Sequence, residues 1–323
     1  MAPNRPFAVD PILTAIAIGY TNPASFRIAD LVLPRSPVGA EKFKWTEYPI
    51  AEAFNTPDAR VGRLGRVQQL EFGGEERTSS VEDYGLDVAI PYSDIEEAAN
   101  ARARQALNQD PERLAVTMLT ETMANIREIR VAQLVHNLDT YAAARRVTLS
   151  GNSMFSAYAT SDPIGVLKTG MESTLIYPPN TLVMGRQVWS KLSSHPKIVN
   201  AVKGNLTNEG IVTRQQFIDL FSGEGITNLL IGDAWYNTAK MGQTTSLARA
   251  WGKHIAMLHI NPMAVVQGGI TFGLTADYGG RIAGRIEDED VGLQGGVRIR
   301  AGERVKELVV ARDVGYFIQN AVA

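Results

Sequence analysis

The chain has 323 residues, 45% of them apolar and 20% charged, with a formal net charge of -2. That length exceeds one small core and allows two lobes or one lobe with long extensions, and no stretch approaches the roughly 20 apolar residues of a membrane-spanning helix. Near-neutral charge argues against a dedicated nucleic-acid binder held by many phosphate contacts, and the lack of cysteine excludes disulfides, thiolate metal sites and a cysteine nucleophile.

The apolar run at 12–18 follows Asp10, carries only Arg5 as a basic flank and closes on no small-residue cleavage pattern, so no signal peptide is expected. Proline recurs through the first sixty residues, from Pro3 to Pro57, removing backbone donors and disfavouring helix. Yet Ile12, Ile16, Phe26, Ile28, Leu31 and Leu33 are too apolar to remain in water. They belong either to an extended arm lying on other chains or to an irregular segment wrapped on its own core.

Between 43 and 90 two strand patterns flank a polar middle. FKWTEY (43–48) puts Phe43, Trp45 and Glu47 on one face, and GLDVAI (85–90) does the same with Leu86, Val88 and Ile90. Arg60, Arg63, Arg66, Glu71, Glu75 and Arg77, interspersed with glycines, lack apolar periodicity and cannot build a core. A long protruding loop or hairpin that reaches a neighbour is expected, because long loops in compact domains are usually functional.

Asp110, Pro111 and Glu112 form a helix start, and Leu119, Met123, Ile126, Leu134, Leu138 and Tyr141 follow near helical spacing, predicting a spine helix over about 111–144. After the break at 150–153 the pattern becomes mixed α/β, with strands at 181–184 and 229–232 and helices at 186–194 and 213–221. Thr213 and Gln216 stand at capping-box spacing. Strand-like runs at 270–274, 281–286, 297–300, 305–310 and 316–318 predict antiparallel β returning to an earlier part of the chain.

Chemistry finds little support. His136, His195, His254 and His259 lack metal-ligand spacing and read as packing or surface histidines. The acidic run 287–290 lacks the spacing of a calcium loop and reads as a solvated tip between strands. Glycine pairs at 73–74, 268–269, 279–280 and 295–296 precede no Gly-Lys-Ser/Thr and read as turns or bulges. No nucleophile elbow or catalytic grouping appears, so no catalytic, cofactor-binding or metal residues are assigned and no enzyme is expected.

The order of arm, long loop, spine, mixed lobe and closing strands resembles the major capsid protein family of tailed bacteriophages, the HK97-like shell fold shared with encapsulins. The likeness is carried by FRIADLVLP (26–34), VEDYGLDVAI (81–90) with DIEE (94–97), IGDAWYNTAK (231–240) and ELVVARDVGYFIQNAV (307–322). The resemblance implies an α+β fold with an N-terminal arm (1–42), an extended E-loop hairpin (43–85), a peripheral domain with the spine (86–165), an axial α/β domain (166–268) and closing peripheral strands (269–323). It implies self-assembly as pentamers and hexamers into an icosahedral shell around viral double-stranded DNA, made in the host cytoplasm. It makes Arg60, Arg63, Arg66, Glu71, Glu75, Arg77, Phe26, Leu31 and Leu33 expected subunit contacts. Scaffold, portal and decoration proteins and weak non-specific DNA contact are implied partners, with no cofactor and no membrane. An encapsulin-type compartment and a soluble enzyme with a carboxylate site are the alternatives.

Overall fold

The computed structural model describes residues 22–47, 75–103, 110–204, 208–240, 242–264 and 269–323, with scattered positions between 54 and 69. The expected arm before Asn22, Glu71, the glycine pair 73–74 and Gly268 lie outside them. In chain order the main elements are α1 (Ala29–Val32), β1 (Arg35–Pro37), β2 (Lys42–Glu47), β3 (Glu75–Ser80), β4 (Glu82–Pro91), α2 (Tyr92–Ala103) and the spine α3 (Pro111–Val135). There follow β5 (Arg146–Thr148), α4 (Pro163–Glu172), β6 (Thr181–Gly185), α5 (Arg186–Ser193), α6 (Pro196–Lys203), α7 (Arg214–Phe221) and β7 (Asn228–Gly232). The chain closes with β8 (Trp235–Asn237), β9 (Leu247–Arg249), β10 (Ile255–Leu258), β11 (Gly273–Asp288), β12 (Gly296–Val309) and β13 (Gly315–Gln319).

The spine starts as its sequence predicts, with Asp110 Oδ1 accepting from the Glu112 amide at 3.1 Å and Pro111 in the first turn. It ends at Val135 rather than near Ala144, giving a length of about 38 Å. Asn137 accepts from the Asp139 amide and turns the chain, while Thr140 and Tyr141 hydroxyls donate to the Leu134 and Val135 carbonyls at 2.7 and 2.8 Å. Carbonyls that another helical turn would have satisfied are thus met by side chains. The apolar Leu138 and Tyr141 belong to that cap, which spacing alone cannot distinguish from continued helix.

One sheet has the order β1-β11-β12-β4. The β11–β12 hairpin is continuous where the sequence predicted separate short strands, and Gly279 and Gly280, at φ +78° and +72°, absorb a register shift between Asp277 and Arg281. Val297, Ile299 and Ala301 alternate onto the spine and bury with Ala115, Leu119 and Ile90.

The second sheet, β5-β13-β10-β6-β7, is covered on both faces. Leu182, Met184, Ile255, Met257, Tyr316 and Ile318 point to a core with α4–α7, whereas Val183, Ala256, Leu258 and Phe317 point to the spine's end and α1. Two apolar faces explain why these strands read as unbroken apolar runs. The sheet also corrects the expected boundaries. Strand β13, expected among the peripheral closing strands, lies between β10 and β5 in the mixed lobe's sheet, and β5 precedes position 166.

Where β7 ends, Gly232 allows Trp251 to cross: an added Cβ would stand 2.0 Å from the indole Cδ1. Since Trp251 is fully buried, Gly232→Ala is expected to lower stability by about 2 kcal/mol or more, measured by urea unfolding.

Candidate assembly surfaces

Residues 22–37 run over the spine and the second sheet of their own chain. Glu128, 1% exposed on the spine, accepts from the Ile28 and Ala29 amides at 2.8 and 2.9 Å and from the Trp251 indole at 2.5 Å. One carboxylate therefore satisfies two first-turn donors of α1 and joins arm, spine and mixed lobe. Burial pushes its pKa above the ordinary carboxylate value, and the three donors oppose that shift. Around this clasp Ile28, Ala29, Val32 and Leu33 pack with Val131, Ala132 and Val135.

This placement separates the expected arm contacts. Leu33 is 0% exposed within its own chain, so it cannot be a subunit contact, and that assignment is corrected. The alternation of FRIADLVLP could not reveal which apolar residues α1 turns inward. Leu31, one helical position away from the buried stripe, is 59% exposed and available to another chain. Phe26 is half-buried, with its carbonyl accepting from the Asp233 amide at 3.2 Å.

An ionic lattice secures the same region. Arg35 pairs with Asp30, Asp277 and Glu303 at 3.1, 3.0 and 2.7 Å, and Arg130 pairs with Glu307 at 2.8 Å while its guanidinium lies 3.6 Å from the Tyr84 ring centroid. These partly buried, shared contacts position the arm against the β11–β12 hairpin. Sequence analysis missed them because each joins residues far apart along the chain.

The predicted projection begins as a two-stranded ribbon. β2 and β3 pair antiparallel from Lys42↔Ser80 to Glu47↔Glu75, with Phe43 and Trp45 rings stacked 6.0 Å apart. The described part of this ribbon joins neither large sheet, and such a hairpin alone is marginal in water. Its base is fixed where Arg304 pairs with Glu41 at 2.9 Å. Arg77 lies in β3 opposite Trp45, and Glu75 starts that strand. Arg60, Arg63 and Arg66 are exposed, together with Phe54, Val61 and Val67.

The β4–β12–β11 sheet supplies a second uncovered surface that sequence analysis did not assign. Its register places Ile282, Gly284 and Ile286 beside Gly302, Arg300 and Arg298, on the face opposite the spine-packed Val297, Ile299 and Ala301. Ile282 and Ile286 are exposed, and a groove of about 750 Å³ runs between them and Gly85 and Asp87 on β4. The period-two pattern was visible, but which face the spine covered was not. Leu86 and Val88, which the register places beside Ala301 and Ile299 on the spine side, are also exposed in the single chain.

His136, His195 and His254 make capping and packing contacts. His195 caps α6, its Nδ1 accepting from the Lys197 amide at 3.2 Å and its Nε2 facing Ser161 Oγ at 3.0 Å. His136 and His254, far apart in sequence, meet with ring centroids 5.3 Å apart. Among the described residues no group of three or more His, Cys, Asp or Glu side chains could hold a metal ion. The acidic run 287–290 occupies the end of β11 and the following turn.

No family model matches the chain. It is 42% identical over 320 residues to the major capsid protein of Pseudomonas phage JBD67, covering 99% of each chain. The chain belongs to the phage major capsid protein family. The Burkholderia phage BcepMu major capsid protein is 29% identical over 326 residues, covering 97% of this chain and 96% of that protein. A phage-related protein from Bordetella bronchiseptica matches with TM-score 0.66 at 19% identity, covering 98% of this chain and 99% of that one. The capsid structure of cyanophage P-SCSP1u matches at 0.59 and 10% identity, covering 100% and 92%. The SrpI encapsulin from Synechococcus elongatus matches at 0.52 and 11%, covering 97% and 96%. The capsid subunit has the HK97-like α+β fold, and its sequence relatives separate the viral protein from the compartment shell that shares this fold.

Proposed function

We infer that this subunit assembles as pentamers and hexamers into an icosahedral virion shell around double-stranded DNA, acting structurally rather than catalytically. The observation that carries the reading is the 42% identity to a phage major capsid protein over essentially the whole chain. Its assembly would take place in the host cytoplasm with scaffold and portal proteins, and a decoration protein could bind outside. DNA would meet it through weak non-specific contacts, consistent with a net charge of -2. Electron microscopy of the purified protein tests assembly: closed icosahedral particles are expected, whereas a small oligomer that never closes under assembly conditions would overturn it.

Within that shell, the segment from β2 to β3 is assigned to contact an adjacent copy through Arg60, Arg63, Arg66, Glu71, Glu75 and Arg77, aided by Phe54 and Val67. The exposed β4–β12–β11 face is a suitable receiving surface, since its Ile282 and Ile286 remain uncovered in one chain. Individual exposed ion pairs contribute less than about 1 kcal/mol, but every copy repeats them. The combined Arg60→Glu, Arg63→Glu and Arg66→Glu variant is expected to remain folded by circular dichroism and lose closed particles by microscopy. Normal particle yield from that variant would remove these arginines from the interface.

A further inference from the structure

Beneath the arm, Arg127 is 2% exposed, with its Nη2 donating to Leu33 O and Thr275 Oγ1 at 3.4 and 3.3 Å and pairing with Asp30 at 2.7 Å. Its Nε and Nη1 are buried without hydrogen-bond partners among the described residues. Guanidinium cannot escape this situation by losing its proton, and unpaired buried donors are destabilising. Burial shifts the Arg127 pKa downward, the direction expected for a charge with too few acceptors.

The side chain lines a cavity of about 80 Å³ between the spine and the β11–β12 hairpin. By volume this accommodates about three waters or one small oxyanion. Arg35, Arg127 and Arg281 contribute three cationic groups to its lining, where Glu303 is the one carboxylate among the described residues; Asp277 pairs with Arg35 beside it at 3.0 Å. Glu303 already serves Arg35 at 2.7 Å and lies 3.9 Å from Arg281, while Asp30 is shared by Arg35, Arg127 and Arg281. Met123, Ala124, Ala283 and Ala301 make much of the remaining wall apolar. Water could accept from these donors but brings no charge, whereas an oxyanion adds negative charge to its acceptor oxygens; the apolar walls strengthen its attraction to the arginines.

We propose that the Arg127 cavity is a binding site for a small oxyanion, supplied either as a free phosphate-like anion or as a carboxylate of a neighbouring copy. The free-anion case does not depend on assembly; the neighbouring-carboxylate case rests on the capsid function proposed above. Either source would neutralise the buried guanidinium and tie the arm, spine and hairpin together. The site thereby becomes a conditional part of the fold's cohesion rather than another surface ion pair.

Thermal unfolding of the unassembled full chain is compared in phosphate and chloride at equal ionic strength, followed by high-resolution electron microscopy of assembled particles. Free-anion binding predicts that phosphate raises the wild-type midpoint and that Arg127→Met lowers phosphate affinity by about ten- to a hundredfold, the factor for losing a charged hydrogen bond. Arg281→Gln provides a second variant at the more exposed cavity edge and should weaken the same response without disturbing the buried guanidinium. If wild type shows no phosphate response, a neighbour's carboxylate density at Arg127 in particles supports the second source. Overturning results are a phosphate response unchanged in Arg281→Gln and in any foldable Arg127 variant, or no phosphate response together with water alone in the particle cavity.

Discussion

Replacing Glu128 by alanine is expected to lower unfolding stability by about 4 kcal/mol and release the arm from the spine. The substitution leaves the Ile28 and Ala29 amides and the Trp251 indole without their acceptor in a site where Glu128 is 1% exposed. Each lost acceptor costs about 1–3 kcal/mol, and relief of carboxylate desolvation offsets part of the sum. Glu128→Gln retains one acceptor oxygen but presents an amide donor where the carboxylate had accepted, so an intermediate loss of about 2 kcal/mol is expected. Urea midpoints test stability, while limited proteolysis tests whether the 22–33 segment becomes accessible in the otherwise folded protein. A Glu128→Ala midpoint within about 0.5 kcal/mol of wild type, with unchanged cleavage, would show that the clasp is energetically redundant.

The same clasp explains the limits of the sequence prediction. Local signals identified the Asp110 cap, the Thr213–Gln216 capping box and the fully buried β6 because each lies within one element. They marked the strand from Phe43, but its ribbon partner, Glu75–Ser80, lies in the stretch read as polar middle, and 85–90 pairs with β12 instead. They could not reveal that Glu128 meets residues 28, 29 and 251, or that Leu33 turns inward while Leu31 does not. The arm is anchored in its own chain over its described length, and α1 leaves Leu31 exposed on its other side. Likewise β13 reads as a terminal strand, but its two apolar faces fit only between β5 and β10. Tertiary placement decides these cases; local pattern supplies the elements.

Stability is expected to fall as pH decreases from about 6.5, with His136 a principal contributor. Burial, reinforced by His254, pushes the His136 pKa down to about 3. Its ring packs at 5.2 Å from Trp251, 5.3 Å from His254 and 5.8 Å from Phe317, and its buried Nε2 has no partner among the described residues. The neighbouring His254 Nδ1 accepts from the Asn320 amide at 3.0 Å, placing its neutral-ring proton on Nε2. Burial lowers the His254 pKa as well. Above about pH 6.5, His136 is neutral in folded and unfolded chains; between that value and about 3, only the unfolded chain gains its proton. Its contribution is therefore lost as pH falls, by about 2 kcal/mol at pH 5 and at most about 5 kcal/mol near pH 3. Glu128 acts oppositely, because its raised folded-state pKa makes its contribution greatest below the ordinary glutamate value of about 4.3 and smaller as pH rises. His136→Phe, which retains an aromatic body without the titrating nitrogens, should close about 2 kcal/mol of the stability gap to wild type between pH 7 and pH 5. Urea unfolding of both proteins at these pH values reads that difference directly. A constant difference would show that protonation of His136 is not linked to unfolding and would shift the acid response to other groups.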